Sequence, residues 1–195
     1  MKIKSHFFEN SSIDKAIKEA EIKIQELRTN LIIKELNNNK IEVIEKREIN
    51  NEIKRYLLKR LKNIGISAEI IIDNKKEIPK FNILSDNDSI LIGKNGKNLK
   101  ALSIITSQYI NKILNITYKF IIDVAYYNEK RKKKLEILAV ECMNEVIKTK
   151  IDIKLDSMNS YERRIIHEKL KDNKNIKTES VGEEPNRYIV IKYIK

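Results

Sequence analysis

Residues 91–99 read Leu-Ile-Gly-Lys-Asn-Gly-Lys-Asn-Leu, and this stretch decides the fold because a glycine pair joins two apolar helical patterns. The chain has only four glycines, and two of them, Gly93 and Gly96, stand three residues apart here. Glycine has no Cβ, so each position permits a left-handed backbone and the close approach of another chain. The stretch therefore predicts a tight, exposed turn between two helices.

The segments flanking this turn predict helices and strands in a definite order. A short helix over 90–92, capped by Asp88 or Ser89, precedes the turn, and a helix over 97–114 follows it. Pro79 predicts that the strand it begins lies at a sheet edge. The other elements of this segment are a helix over 51–63 and strands over 67–73, 78–84 and 118–124. The order is helix, strand, strand, helix, turn, helix, strand.

The two ends of the chain predict smaller α/β units. The N-terminal unit comprises an extended segment over 2–8, a helix capped by Ser11 or Ser12, a hairpin of strands over 31–36 and 41–44, and a polar boundary over 45–51. The C-terminal unit begins with a helix over 130–148 and a strand over 151–155. A second helix runs from Asn159 to about Lys171, and Glu162 completes a capping box at its start. Strands over 176–181 and 188–193 end the unit. We therefore expect an α/β (α+β) protein with domains at 1–48, 49–127 and 128–195.

Positive charge is concentrated around and after the glycine turn. Residues 90–134 contain ten Lys and Arg but only two acids, Asp123 and Glu129, which is +8 of the total formal charge of +12. A general excess of lysine follows from AT-rich codon usage, but that bias does not produce such clustering. A local surplus of this kind favours a polyanionic partner, because neutralised phosphates release counterions.

The turn and a second motif supply the candidate binding residues. The helix after Gly96 presents free N–H groups and its positive dipole end, so the turn suits a phosphodiester backbone. Arg163 and His167 are four residues apart and share one helix face, where a guanidinium can grip phosphate and an imidazole can stack. Tyr161, Ile165 and Met158 are expected on a different, core-facing stripe. The candidate set is Gly93, Lys94, Asn95, Gly96, Lys97, Arg163, Arg164, His167 and Arg187.

The two motifs resemble those of a known family. Residues 91–99 resemble the GxxG signature of a KH domain, and the order of helices and strands around it matches the type II arrangement. Residues 158–167 followed by 181–185 resemble the R-three-H domain of the Jag (SpoIIIJ-associated) family. Members of that family combine a small N-terminal domain, a type II KH domain and an R-three-H domain. Here the N-terminal domain lacks the family's usual glycine-containing motif, since no glycine precedes Gly65.

The resemblance implies a single-stranded RNA-binding protein of the bacterial cytoplasm that acts as a post-transcriptional regulator linked to cell envelope growth or division. It also implies a small KH-only protein and a YidC-type membrane insertase as partners. An adaptor that docks on the insertase or division machinery, and a binder of single-stranded DNA, stay open as alternatives. The basic run 130–134 is either a solvated helix end or a positive bridge between the two RNA surfaces.

An enzyme is not expected. One cysteine and two distant histidines provide no metal site, and the chain has no clustered carboxylates for a metal-dependent nuclease. We therefore expect no cofactor, no metal and no small-molecule substrate. No stretch is apolar for long enough to span a membrane, and residues 1–6 lack the apolar core of a signal peptide.

Overall fold

The computed structural model of the protein describes residues 3–194, so the prediction of extended chain at Lys2 lies outside the described residues. The chain forms two compact units, one ending at Ala125 and the other beginning at Tyr126. The described residues contain three separate three-stranded sheets, two in the first unit and one in the second. The mixed α/β class expected from the sequence is confirmed.

The first sheet belongs to a βαββ arrangement at the start of the first unit. Its elements are β1 (His6–Glu9), α1 (Ile13–Ile24), β2 (Leu31–Glu35) and β3 (Lys40–Glu45). All strands are antiparallel in the order β1-β3-β2. The Ser12 side chain caps α1 by accepting from Lys15 N–H. The helix then buries Ala16, Ile17 and Ala20 against the sheet, because these residues recur on one helix face.

The second sheet carries the glycine turn. Its elements are α2 (Lys46–Asn63), β4 (Ala68–Asp73), β5 (Lys80–Ser85), α3 (Asp88–Ile92), α4 (Lys97–Leu114) and β6 (Ile121–Val124). The strand order is β4-β5-β6, with β4 antiparallel and β6 parallel to β5. A parallel pair needs a long crossover connection, and here α3, the turn and α4 form that crossover. The turn is therefore held between two helices that the sheet itself positions.

Two predictions for this segment are wrong. The helix predicted over 51–63 begins earlier, at Lys46, within the predicted polar boundary 45–51, and it buries Ile49 completely. The strand that follows Pro79 is the central strand of its sheet and not an edge strand. Pro79 causes no defect in the sheet because it precedes the first residue of β5, and only its carbonyl is used, accepting from Ile121 N–H.

The second unit packs two helices on the third sheet. Its elements are α5 (Tyr127–Thr149), β7 (Ile153–Lys154), α6 (Ser160–Leu170), β8 (Ile176–Val181) and β9 (Tyr188–Tyr193). The strands are antiparallel in the order β7-β9-β8. The predicted capping box is present, since Asn159 accepts from Glu162 N–H while Glu162 accepts from Asn159 N–H. This cap fixes where α6 starts and hence which of its residues face the sheet.

Candidate nucleic-acid interface

The glycine turn, Lys94–Gly96, is a tight non-helical turn between α3 and α4, closed by the Gly96 N–H, which donates to the Gly93 carbonyl at 3.2 Å. Gly93 ends α3 by donating its N–H to the Ser89 carbonyl at 2.9 Å. Asn95 and Gly96 both take positive φ, at 52° and 75°. Asparagine and glycine are the residues that tolerate this conformation best, so the local sequence explains the reversal of the chain. Since α4 starts at Lys97 without a side-chain cap, its first N–H groups face the turn.

Gly93 serves a packing role that the sequence did not reveal. Its φ of 68° and ψ of 179° lie in a region that glycine alone occupies readily. A Cβ built there would stand 2.6 Å from Cγ of Asn98, which is too close for any side chain. Asn98 occupies this space because its amide donates to the Ile90 carbonyl at 2.8 Å, bracing α3 against α4. Because Gly93 has no Cβ, the Asn98 side chain fits into this space.

Replacing Gly93 with alanine is expected to lower the free energy of unfolding by about 2–3 kcal/mol, because strain and the clash with Asn98 add. Gly65→Ala is the matched control, since Gly65 also has positive φ, at 77°, but has no atom within 4 Å of its built Cβ. That control should cost roughly 1 kcal/mol. Denaturant titration checks both, and equal costs would show that Asn98 relaxes freely.

Positive charge surrounds the outer face of the turn. Lys94, Asn95 and Lys97 are exposed, and within residues 3–194 neither lysine forms an ion pair with an acid. The nearby Asp88 carboxylate instead accepts from the Ser85 N–H and hydroxyl at 2.9 and 2.8 Å. The positive end of the α4 dipole adds to the two lysines. The turn therefore presents two lysines and the positive end of a helix dipole on one exposed face.

The predicted Arg163 and His167 pair lines a shallow pocket between α6 and β8, hereafter the β8-side pocket. Its volume is about 260 Å³, and its lining consists of Ser160, Arg163, Arg164, His167, Thr178, Glu179, Ser180 and Ile189. His167 is exposed, and its Nδ1 lies 2.6 Å from the Thr178 hydroxyl, which orients the ring. Hydrogen bonds from Lys192 and then Lys177 lower the pKa of Glu179, so its negative charge is balanced within the protein.

Arg163 is more internal than the sequence suggested. Its side chain is only 10% exposed. One terminal nitrogen donates to the Met158 carbonyl at 2.6 Å, and the other donates to Glu184 at 2.8 Å. The guanidinium thereby ties the start of α6 to the loop between β8 and β9. Its contact with RNA stays a prediction. In the structure, its hydrogen bonds hold the start of α6 against the loop between β8 and β9.

The two other predicted arginines differ in accessibility. Arg164 is exposed on α6, and no hydrogen bond or ion pair engages it within the described part of the chain. Arg187 is half-buried and donates from Nε to the Ser180 hydroxyl at 3.0 Å. Arg164 is thus an exposed cation of α6 without a partner among the described residues, whereas Arg187 is partly engaged by Ser180.

The prediction that Tyr161 lies on the core-facing stripe of α6 is wrong. Its side chain is 62% exposed, whereas Ile165 and Met158 are buried as expected. The capping box sets the phase of the helix so that Glu162, Arg163 and Ile166 face inward. Tyr161 precedes this inward group and points to solvent. An exposed aromatic beside exposed Arg164 is a feature that the sequence did not reveal.

Much of the basic run 130–134 is engaged within its own unit. Arg131 donates to the buried Glu162 at 2.7 Å, Lys133 lies 2.9 Å from Glu129, and Lys132 lies 3.8 Å from Glu136. The contact between Arg131 and Glu162 links α5 to the N-terminal cap of α6, so Arg131 stabilises the packing of these helices. The two lysine pairs are exposed and weak, and both lysines can exchange an acid for a phosphate.

Within residues 3–194 no three His, Cys, Asp or Glu side chains are grouped so that they could hold a metal ion. Nor does any helix of that span combine the length and apolarity needed to cross a bilayer.

Comparison with known proteins identifies the family. Residues 133–193 match the R-three-H domain family. The chain is 33% identical over 155 residues to the RNA-binding protein KhpB of Bacillus subtilis (strain 168), covering 78% of this chain and 74% of that protein. It is 36% identical over 129 residues to the RNA-binding protein KhpB of Clostridium symbiosum (66% and 58%), and 33% identical over 136 residues to that of Lactiplantibacillus plantarum (70% and 42%).

These matches reach well beyond the R-three-H segment, since they cover about two thirds to three quarters of the present chain. The chain in turn spans only about half the length of the second and third relatives. The similarity to the Bacillus subtilis protein covers most of this chain and most of that protein. The chain therefore belongs to the Jag family, the family of these KhpB proteins.

Proposed function

We propose that this protein binds single-stranded RNA through two surfaces, the turn at 93–96 and the exposed side of α6. The observation that carries the proposal is the turn itself, where an uncapped helix start, two glycines and two exposed lysines lie together. Backbone N–H groups and a helix dipole favour phosphate over any neutral ligand. The names of the relatives, each called an RNA-binding protein, support the same interpretation.

The fold around the turn supports a type II KH domain in particular. The order α2-β4-β5-α3-turn-α4-β6, with β5 and β6 parallel, is the arrangement expected from the sequence. In KH domains the GxxG loop clamps about four nucleotides of backbone. Four nucleotides give modest affinity, so a second surface on α6, joined to the first by the chain, raises apparent affinity through effective concentration. We propose the three domains predicted from the sequence, 1–48, 49–127 and 128–195, with the first boundary moved to the start of α2 at Lys46.

Salt dependence is the first test of the proposal. The affinity for a labelled oligouridine, measured by fluorescence anisotropy, should fall linearly on a log–log plot against salt. For about four to six phosphate contacts the slope should be roughly −3 to −4, because each contact on a single strand contributes about −0.7. A slope near zero would contradict phosphate gripping. A single-stranded DNA of equal length, titrated alongside, measures any preference for the 2′-hydroxyl.

We further propose, on family membership, that the protein is a bacterial post-transcriptional regulator linked to cell envelope growth or division and acts in the cytoplasm. A small KH-only protein and a YidC-type insertase are its proposed partners. Crosslinking in cells followed by recovery of the protein tests this: co-recovered RNA supports the regulator. Recovery of membrane proteins without RNA would instead support the adaptor role.

A further inference from the structure

The exposed Tyr161 lies in a second pocket, on the opposite flank of α6 from the β8-side pocket. This α5-side pocket has a volume of about 310 Å³ and lies between α5 and α6. Its lining includes Tyr161, Arg164, Ile165 and Lys169 from α6, with Lys132 and Glu136 from α5. Ile165 is buried and gives the pocket an apolar floor. The α5-side pocket thus combines an aromatic side chain, an apolar floor and cations at its edge.

No contact of Tyr161 with the rest of the described chain explains why a tyrosine lies at this position. Within residues 3–194 its hydroxyl makes no hydrogen bond and its ring stacks on no other ring, while 62% of the side chain is exposed. A tyrosine so exposed adds little to the core. Its flat face is instead available to a planar ligand, since aromatic side chains stack on nucleic-acid bases in a sequence-tolerant way.

The charges of the α5-side pocket suit a ligand that carries one phosphate per planar group. Arg164 and Lys169 are exposed and form no ion pair in the described part of the chain. The two acids of the lining are balanced locally, Glu136 by Lys132 at 3.8 Å and Glu168 by Lys171 at 3.3 Å. The uncompensated charge is therefore positive and is carried by α6 itself.

Arg164 connects the two flanks of α6, because it lines both the α5-side pocket and the β8-side pocket. A strand that crosses α6 at this residue has pockets for bases on both sides and a cation beneath the phosphate between them. We propose that an unpaired nucleotide base stacks on Tyr161 in the α5-side pocket, with its phosphate on Arg164. The α5-side pocket extends the RNA path of the proposed function, on which it rests, to the other side of the helix.

The test compares two ligands of equal length, an oligouridine and an oligomer of abasic sugar phosphate. Tyr161→Ala should weaken binding of the full chain to oligouridine about tenfold, within the range found for base stacking on aromatic side chains. Binding to the abasic oligomer should stay within about twofold, since that ligand has no base to stack. Tyr161→Phe should keep the affinity for oligouridine, because the ring is retained, and Arg164→Ala should weaken both ligands.

Ile137→Ala is the matched control. Ile137 is 59% exposed on α5 and lines neither pocket, so its truncation removes exposed apolar surface in the same unit without touching the site. Equal losses on both ligands, or no loss on oligouridine, for Tyr161→Ala would overturn the stacking role alone. Failure of the unaltered chain to bind either ligand would overturn the proposed function together with it.

Discussion

Replacing both Lys94 and Asn95 with aspartate is expected to weaken RNA binding by roughly 100-fold while leaving the fold intact. The change replaces one positive charge with two negative ones beside the place proposed for phosphates. Three units of charge change in total, and each is worth up to about 1 kcal/mol on an exposed side chain. The sum is close to the roughly 2.7 kcal/mol that a 100-fold change in affinity represents. The fold should survive because both side chains are exposed and aspartate, like asparagine, tolerates the left-handed backbone at position 95.

The far end of the same helix offers a closely matched control. Lys112 is exposed near the end of α4, and Asn115 after it is exposed with a φ of 53°, nearly that of Asn95. The pair Lys112→Asp and Asn115→Asp therefore repeats the charge change and the backbone conformation at a distance from the turn. Anisotropy titrations should show a small loss for this control. Similar losses for both pairs would mean that overall charge, not the turn, governs binding.

Replacing Arg163 with alanine is expected to act mainly on stability, lowering the free energy of unfolding by about 2–3 kcal/mol. The guanidinium is nearly buried, and its loss would leave the Met158 carbonyl without its 2.6 Å donor and Glu184 without its 2.8 Å partner. Hydrogen bonds to a charged group contribute more than neutral ones, which sets the size of the effect. Denaturant titration followed by circular dichroism measures it.

Arg164→Ala separates stability from binding. Arg164 is the next residue on α6, is exposed, and should cost less than about 0.5 kcal/mol of stability, as surface changes usually do. The affinity of this variant for RNA should nevertheless fall, because the guanidinium it loses is free to meet phosphate. If Arg163→Ala instead keeps full stability and loses affinity, then Arg163 contacts RNA directly and its internal hydrogen bonds are dispensable.

Local chemistry made several elements predictable from the sequence. The Asn159 and Glu162 capping box, α4 over Lys97–Leu114, and strands β8 and β9 were all expected at their observed positions. Each depends on residues a few positions apart, through a cap or a short-range hydrophobic period. Such signals need no knowledge of the tertiary structure.

The features that the sequence did not predict depend on contacts between residues far apart in the chain. Arg163 donates to Glu184, 21 residues later in the chain, and no local pattern indicates that pair. The start of α2 was obscured because only Ile49 is apolar within the polar run 45–51, and its burial comes from tertiary packing. Tyr161 looked like core from its spacing, since a hydrophobic pattern does not say where an inward stripe ends.

The hydrogen bond from Asn98 beneath the glycine turn would affect how quickly the turn captures the proposed RNA ligand. The Asn98 amide donates to the Ile90 carbonyl, so the turn is braced by a contact made within the chain itself. A preorganised loop loses little conformational entropy on binding, so encounter by diffusion and electrostatic attraction, not loop rearrangement, should limit the association rate. Preference among RNA sequences should then appear in how long each complex lasts, since dissociation is the step in which base contacts differ.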